Sequence, residues 1–265
     1  MRDIPARVER HFNVLHEKYG DRLMFVAAVG SMNYGTFCEE SDVDTLAVIL
    51  PTFEELVLKQ PESMVINIDD EQCSVKDLRL YINELKKQNI GRLETLVTKY
   101  YMTNGYYEED YRYLQGFAEN ICHYDEYRFG QSTRGMVHEF AKQWYKSYEQ
   151  WVVTSDDSVL NYKAVYNVVR LYQTMERYVQ GLSFDKVIRC DDALDRGLLL
   201  RIKHGEIGAE ELNRLVRECE YKLPQIKERT EADIQTEDML AEFVLGIFAE
   251  KVNFYLTYDE SCDRI

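Results

Sequence analysis

Along the first hundred residues the apolar positions change period several times. Ile4, Val8, Phe12 and Leu15 recur at helical spacing, Pro5 suits a first turn and Gly20 sits where a C-terminal cap belongs. This pattern predicts an amphipathic helix covering one face of a sheet. MFVAAV, from Met24 to Val29, is continuously apolar and is ended by Gly30, so it reads as a buried strand entering a tight turn. A second buried strand is predicted at Val43 to Leu50, stopped by Pro51. A short helix or turn suits Thr52 to Leu58, and Met64 to Val75 reads as further strand around an acidic turn at Asp69 to Glu71. Asp77 then precedes a helix with Leu78, Tyr81, Ile82 and Leu85 on one face.

Beyond Leu93 the strand signals fade. Long amphipathic patterns take over in HEFAKQWYKSYEQWVV, AVYNVVRLYQTMERYV, EELNRLVRECEYKL and DMLAEFVLGIFAEKVNFYL. The expected fold class is α+β: a small mixed sheet flanked by helices, then a helical C-terminal half. The division falls near Tyr100 to Gly105, which gives a first domain of residues 1–104 and an α-helical domain of residues 105–265. No Pro- or Ser-rich linker marks that point, so a shared core is compatible with the pattern. The 20 tyrosines, dense in KYYMTNGYYEEDYRYL, read mainly as helix-packing surface and core.

Composition narrows the function classes. Against 32 basic residues stand 47 acidic ones, a formal net charge of -15, which repels a nucleic-acid backbone on average and argues against tight nonspecific binding. No apolar run approaches the roughly 20 residues of a membrane helix, and no leader-like pattern opens the chain. A soluble, cytoplasmic protein with no membrane partner is expected. The six cysteines, Cys38, Cys73, Cys122, Cys190, Cys219 and Cys262, are scattered singly, as reduced thiols are, and the five histidines have no ligand spacing.

The most informative segment reads Gly30-Ser31-Met32-Asn33-Tyr34-Gly35, then Ser41-Asp42-Val43-Asp44. Glycine after a buried strand allows close backbone approach to a phosphate, and the serine adds a hydroxyl and an amide. Strand alternation puts Asp42 and Asp44 on one face and Val43 on the other. Two such carboxylates repel unless a cation joins them, so the pair invites a divalent ion, with Mg2+ the natural occupant beside a phosphate-binding turn.

A Gly-Ser turn followed by Ser-Asp-x-Asp on the next strand is similar to the signature of the DNA polymerase β-like nucleotidyltransferases. DLRLYINELKKQNIGRLETL, with Asn89 and Glu94, resembles a segment of an uncharacterised bacterial and phage branch of predicted nucleotidyltransferases. KAVYNVVRLYQTMERYVQG and LLLRIKHGEI resemble that branch's helical half, and Lys163 and Arg170 match its basic positions. The resemblance implies a catalytic domain at residues 1–104 and transfer of a nucleoside monophosphate from an NTP to an acceptor hydroxyl, with Mg2+, one ion or two, and release of pyrophosphate. The acceptor could be a tRNA, a protein or a small molecule. Gly30, Ser31, Lys163 and Arg170 would bind the nucleotide, and Asp42 and Asp44 would be catalytic metal ligands.

One position departs from the family pattern. The third acid usually stands on the strand before the Asp77 helix, at the position of Gln72, and glutamine is a poor magnesium ligand. Asp70, two residues earlier and on the same face of a regular strand, is the expected substitute. Gln72 also motivates an alternative: a catalytically impaired, antitoxin-like regulator that binds nucleotide or a partner protein. A helical interaction protein without chemistry is the third reading.

Overall fold

The computed structural model describes residues 3–38, 41–228 and 232–262, with side chains as far as residue 250. Helix α1 spans Ile4–Tyr19, capped at its start by the Asp3 side chain and at its end by Gly20, and it buries Val8, His11, Leu15 and Tyr19. Strand β1, Leu23–Ala28, follows and is buried throughout. A single helical turn, α2 at Ser31–Tyr34, precedes β2 at Thr45–Ile49. After the short helix α3, Phe53–Val57, which opens on a Thr52/Glu55 capping box, strands β3 (Ser63–Ile68) and β4 (Glu71–Asp77) form a hairpin. Asp69 and Asp70 are its two turn residues, at φ 49° and 67°, the paired left-handed conformation that a tight hairpin requires.

Helix α4, Leu78–Lys86, is capped by Asp77 and buries Leu78, Tyr81, Ile82 and Leu85, the face marked by the sequence pattern. The short helix α5, Ile90–Leu93, leads to a strand that the apolar pattern did not announce: β5, Tyr101–Thr103. Three half-buried residues carry too little periodicity to be read as a strand, and pairing with Phe25 to Ala27 of β1 is what makes them one. The sheet runs β3-β4-β2-β1-β5. Its β2/β4 pair is parallel and the other three pairs are antiparallel, so the sheet is mixed.

From residue 108 the described chain is helical: α6 (Glu108–Gly116), α7 (Ala118–Cys122), α8 (Glu126–Thr154), α9 (Tyr162–Val179), α10 (Phe184–Ile188), α11 (Ala193–Lys203), α12 (Ala209–Lys222) and α13 (Ile234–Cys262). The fold is α+β with a helical C-terminal half. One sheet face packs Val26, Ala28, Val43, Ala47, Cys73 and Val75 under α1. The other face, with Phe25, Leu46 and Val48, belongs to a single cluster that continues through Leu93, Trp144, Leu171 and Leu212 to Leu240. Apolar packing is therefore continuous across residue 104.

Cys38 is half-buried and Cys73, Cys122, Cys190 and Cys219 are buried, all five as free thiols; Cys262 lies beyond the described side chains. Among the described residues no helix is long and apolar enough to cross a membrane.

Candidate functional site

The sheet register decides where the acidic pair lies. Thr45 faces Ala28 of β1 on one side and Cys73 of β4 on the other. Asp44, one residue earlier, therefore lies between the end of β1 and Gln72. Its carbonyl accepts the Val29 amide at 3.0 Å, and its carboxylate accepts the Gln72 backbone N–H. Regular pairing of β2 starts at Thr45, two residues later than the apolar pattern suggested, yet the alternation persists: Val43 is fully buried under α1, while Asp42 and Asp44 both line a cleft on the opposite side.

That cleft, about 340 Å³, is also lined by Gly30, Ser31, Tyr34, Ser41, Lys163, Tyr166, Asn167, Arg170 and Lys203. Residues 163, 166, 167 and 170 share one face of α9, because they are spaced at three and four residues. Six of the sequence-predicted site residues thus meet in one place, although more than a hundred positions separate Asp44 from Lys163.

Gly30 adopts φ 91° and ψ -141°, a conformation essentially restricted to glycine, and it turns the chain from β1 into α2. Its amide donates to Oε2 of Glu94 at 2.9 Å. Glu94 is 2% exposed and also accepts from Asn33 Nδ2 at 2.9 Å and from the Tyr34 hydroxyl at 2.8 Å. Burial raises the Glu94 pKa, and these donors, with Arg170, pull it back. The Gly30 amide is thereby committed to the protein. The Ser31 hydroxyl makes no hydrogen bond to any described residue, so it is the group of this turn left to meet a ligand.

Arg170 is the unusual group of the cleft. It is 6% exposed, its guanidinium lies 4.1 Å over the Tyr34 ring, and Nη2 reaches Asn167 Oδ1 at 3.3 Å. Nε and Nη1 are buried and have no partner among the described residues. Buried guanidinium donors are normally satisfied, because each orphan costs about 1–3 kcal/mol. Lys163 is exposed at the rim, and Lys203 donates to Ser41 Oγ at 2.6 Å and Thr36 O at 3.4 Å. None of the three cations forms an ion pair with a described acid. The Asp44 pKa is raised, first by burial and further by Asp42, against the opposing pull of Lys163 and the Gln72 amide.

Asp70 is not brought to this cleft. Strand β4 begins only at Glu71, so the alternation that would align Asp70 with Gln72 stops one residue short, and Asp70 sits exposed in the hairpin turn. The structure thus does not bring the expected third carboxylate to Asp42 and Asp44. Gln72 does occupy the position beside Asp44. Among the described residues no group of three or more His, Cys, Asp or Glu side chains is placed to hold a metal.

The sequence reading did not name Tyr34, Ser41, Tyr166, Asn167 or Lys203 as site residues. Asn167 was accessible in principle, since it lies on the Lys163–Arg170 helical face. Lys203 lies within LLLRIKHGEI, but nothing in that segment singles it out; the packing of α11 against α9 brings it to Ser41. Asn89 caps α5 by accepting the Gly91 amide at 3.0 Å.

No protein-family model matches the chain, and no curated protein matches it. Among solved structures it is similar to a nucleotidyltransferase-like protein from Exiguobacterium sibiricum 255-15, with 10% identity over 91% of this chain and 80% of that one and a TM-score of 0.34. A likeness that loose bears on no residue of the cleft.

Proposed function

We propose that this chain is a nucleotidyltransferase that moves a nucleoside monophosphate from an NTP to an acceptor hydroxyl and releases pyrophosphate. What carries the reading is the assembly in one cleft of Asp42 and Asp44 on one side and the buried, partly unpartnered Arg170 on the other, with Ser31, Lys163 and Lys203 around them. Acids and cations lining one cleft suit a metal-bound polyphosphate: the acids need a cation, and the cations need an anion with several oxygens.

The donor set fits one Mg2+. Such an ion is commonly held by one or two carboxylates with the remaining positions taken by water and substrate phosphates. Asp42 and Asp44 would be its ligands, and when bound it supplies charge neutralisation at the phosphates. Arg170 would fill its orphaned N–H groups with phosphate oxygens, Lys163 and Lys203 would add charge, and the Ser31 hydroxyl would bond a phosphate oxygen. A second ion lacks a dedicated third carboxylate among the described residues.

The test is transfer of radiolabel from each of the four α-labelled triphosphates with Mg2+, offered in turn tRNA, protein and small-molecule acceptors. Wild type labels one of them, and Asp42→Asn and Asp44→Asn do not; equal labelling by all three proteins refutes the assignment.

Gln72 beside Asp44 favours a second reading, a regulator that binds nucleotide without turning it over. Mg2+-dependent nucleotide binding with no pyrophosphate release would support it, and robust release would eliminate it.

A further inference from the structure

Two like-charged side chains can serve a common cation only if the backbone between them is held, and here the main chain holds only one end of the pair, through the Val29 amide on Asp44 O at 3.0 Å. Regular β2 pairing begins at Thr45, after the acids. Extending the parallel register two residues back from Thr45 and Cys73 sets Val43 opposite Glu71, and it is the Glu71 side chain that takes the Val43 amide: Oε1 accepts it at 2.6 Å. Glu71 is 4% exposed and faces α1, away from the cleft. Arg7 Nε donates to Glu71 Oε2 at 2.8 Å, and a second Arg7 nitrogen closes on Oε1. One helical turn on, His11 lies 3.4 Å from Glu71 Oε2 through Nε2 and 2.8 Å from Thr45 Oγ1 through Nδ1. Positions 43 and 45 are thus gripped from the α1 side, and alternation delivers 42 and 44 to the other.

Glu71 is buried and Arg7 half-buried, and such an arginine–carboxylate pair is a poor stabiliser, since well-packed apolar residues in its place are often as good or better. Its presence directly behind the acid pair calls for another reason. We infer that Glu71, held by Arg7, is the positioning residue of the Asp42/Asp44 pair: its carboxylate fixes the Val43 amide so that both acids face one cation in the cleft. The inference rests on the functional reading above for what that cation carries, and on geometry alone for the clamp.

The experiment uses the full chain in four forms and two readouts: hydrogen exchange at the Val43 amide without ligand, and Mn2+ affinity in the presence of a non-hydrolysable nucleoside triphosphate, followed by electron paramagnetic resonance. Arg7→Met/Glu71→Met removes the pair as a unit and leaves no buried lone charge, so it folds, with Tm lowered by several degrees because the Val43 amide loses its acceptor at about 1–3 kcal/mol. Its Val43 amide exchanges on the order of tenfold faster or more, and Mn2+ binds on the order of tenfold more weakly, the loss of one hydrogen bond to a charged group. Glu71→Asp keeps the charge but falls one methylene short of Val43, and it loses as much. Glu71→Gln keeps one acceptor oxygen at the same reach for the Val43 amide but sets its NH2 against the Arg7 N–H, so it loses less than Glu71→Asp on both readouts.

A double variant with wild-type exchange or wild-type Mn2+ affinity overturns the inference. So does a Glu71→Gln protein that loses as much as Glu71→Asp, a result that remains decisive if the double variant does not fold. Should wild type itself bind no Mn2+–nucleotide, the functional reading of the cleft falls, while Val43 exchange still decides whether Glu71 clamps the segment.

Discussion

Replacing Arg170 with methionine separates a guanidinium that holds the protein together from one that waits for a ligand. In the free protein Nε and Nη1 are buried without partners, a burden of about 1–3 kcal/mol for each donor. Against it stand the stacking on Tyr34, worth about 2 kcal/mol when desolvated, and the 3.3 Å bond to Asn167, worth about 1 kcal/mol. Methionine keeps an unbranched apolar stem in the same space. The balance places Arg170→Met between about 1 kcal/mol less stable and about 3 kcal/mol more stable than wild type, the lost attraction to Glu94 pulling toward the lower end, a Tm change of at most several degrees. Nucleotide binding should move the other way: two charge-assisted bonds total at least about 3 kcal/mol, so Mg2+–triphosphate affinity falls on the order of 100-fold or more. Thermal unfolding without ligand and calorimetric titration with each triphosphate read the two effects. A variant that loses more than about 3 kcal/mol of stability yet binds nucleotide as wild type does would refute the reasoning, because that is the signature of a broken structural pair, with Glu94 as its acid.

Gly30→Ala meets no neighbouring atom within 4 Å, so any cost is conformational. At φ 91° it should amount to about 1–3 kcal/mol in a urea titration, together with weaker nucleotide binding as the turn shifts. Asp70→Asn leaves Mg2+-dependent binding and labelling unchanged, since the side chain is exposed in a hairpin turn; a large loss of labelling would restore it as a metal-site acid. The His11 pKa is lowered from 6.5 to about 4, chiefly by burial and then by Arg7. The unfolded chain therefore binds the proton more readily, and the His11 contribution is complete above pH 6.5 and lost as pH falls toward 4. The loss is at most about 3 kcal/mol, read as the difference between wild-type and His11→Gln stability across that window; parallel curves would contradict it.

Local chemistry carried much of this protein. Helix α1 was legible because its apolar stripe has one period and both of its ends are capped by residues suited to the task. The Gly30 turn was legible because only glycine fits its backbone angles. That Asp42 and Asp44 face the same way followed from strand alternation, even though the strand proper begins after them. Strand β5 was not legible, because three half-buried residues become a strand only through their neighbour.

The fate of the other acids shows where sequence stops. Asp70, Glu71 and Gln72 are consecutive and invite one argument, yet they part into a turn tip, a buried clamp and a neighbour of Asp44. Hairpin pairing of β4 with β3 starts at Glu71 and leaves Asp70 in the turn, while the parallel placement of β4 beside β2, a long-range property, sets Glu71 behind Val43 and Gln72 beside Asp44. Likewise the chain order alone determined a glycine turn, an acid pair and a helix with two basic residues on one face. Only the packing of α9 and α11 against the segment between β1 and β2 decided that Arg170 and Lys203 join them, because contacts across more than a hundred residues follow from how buried faces fit together, which no local window encodes.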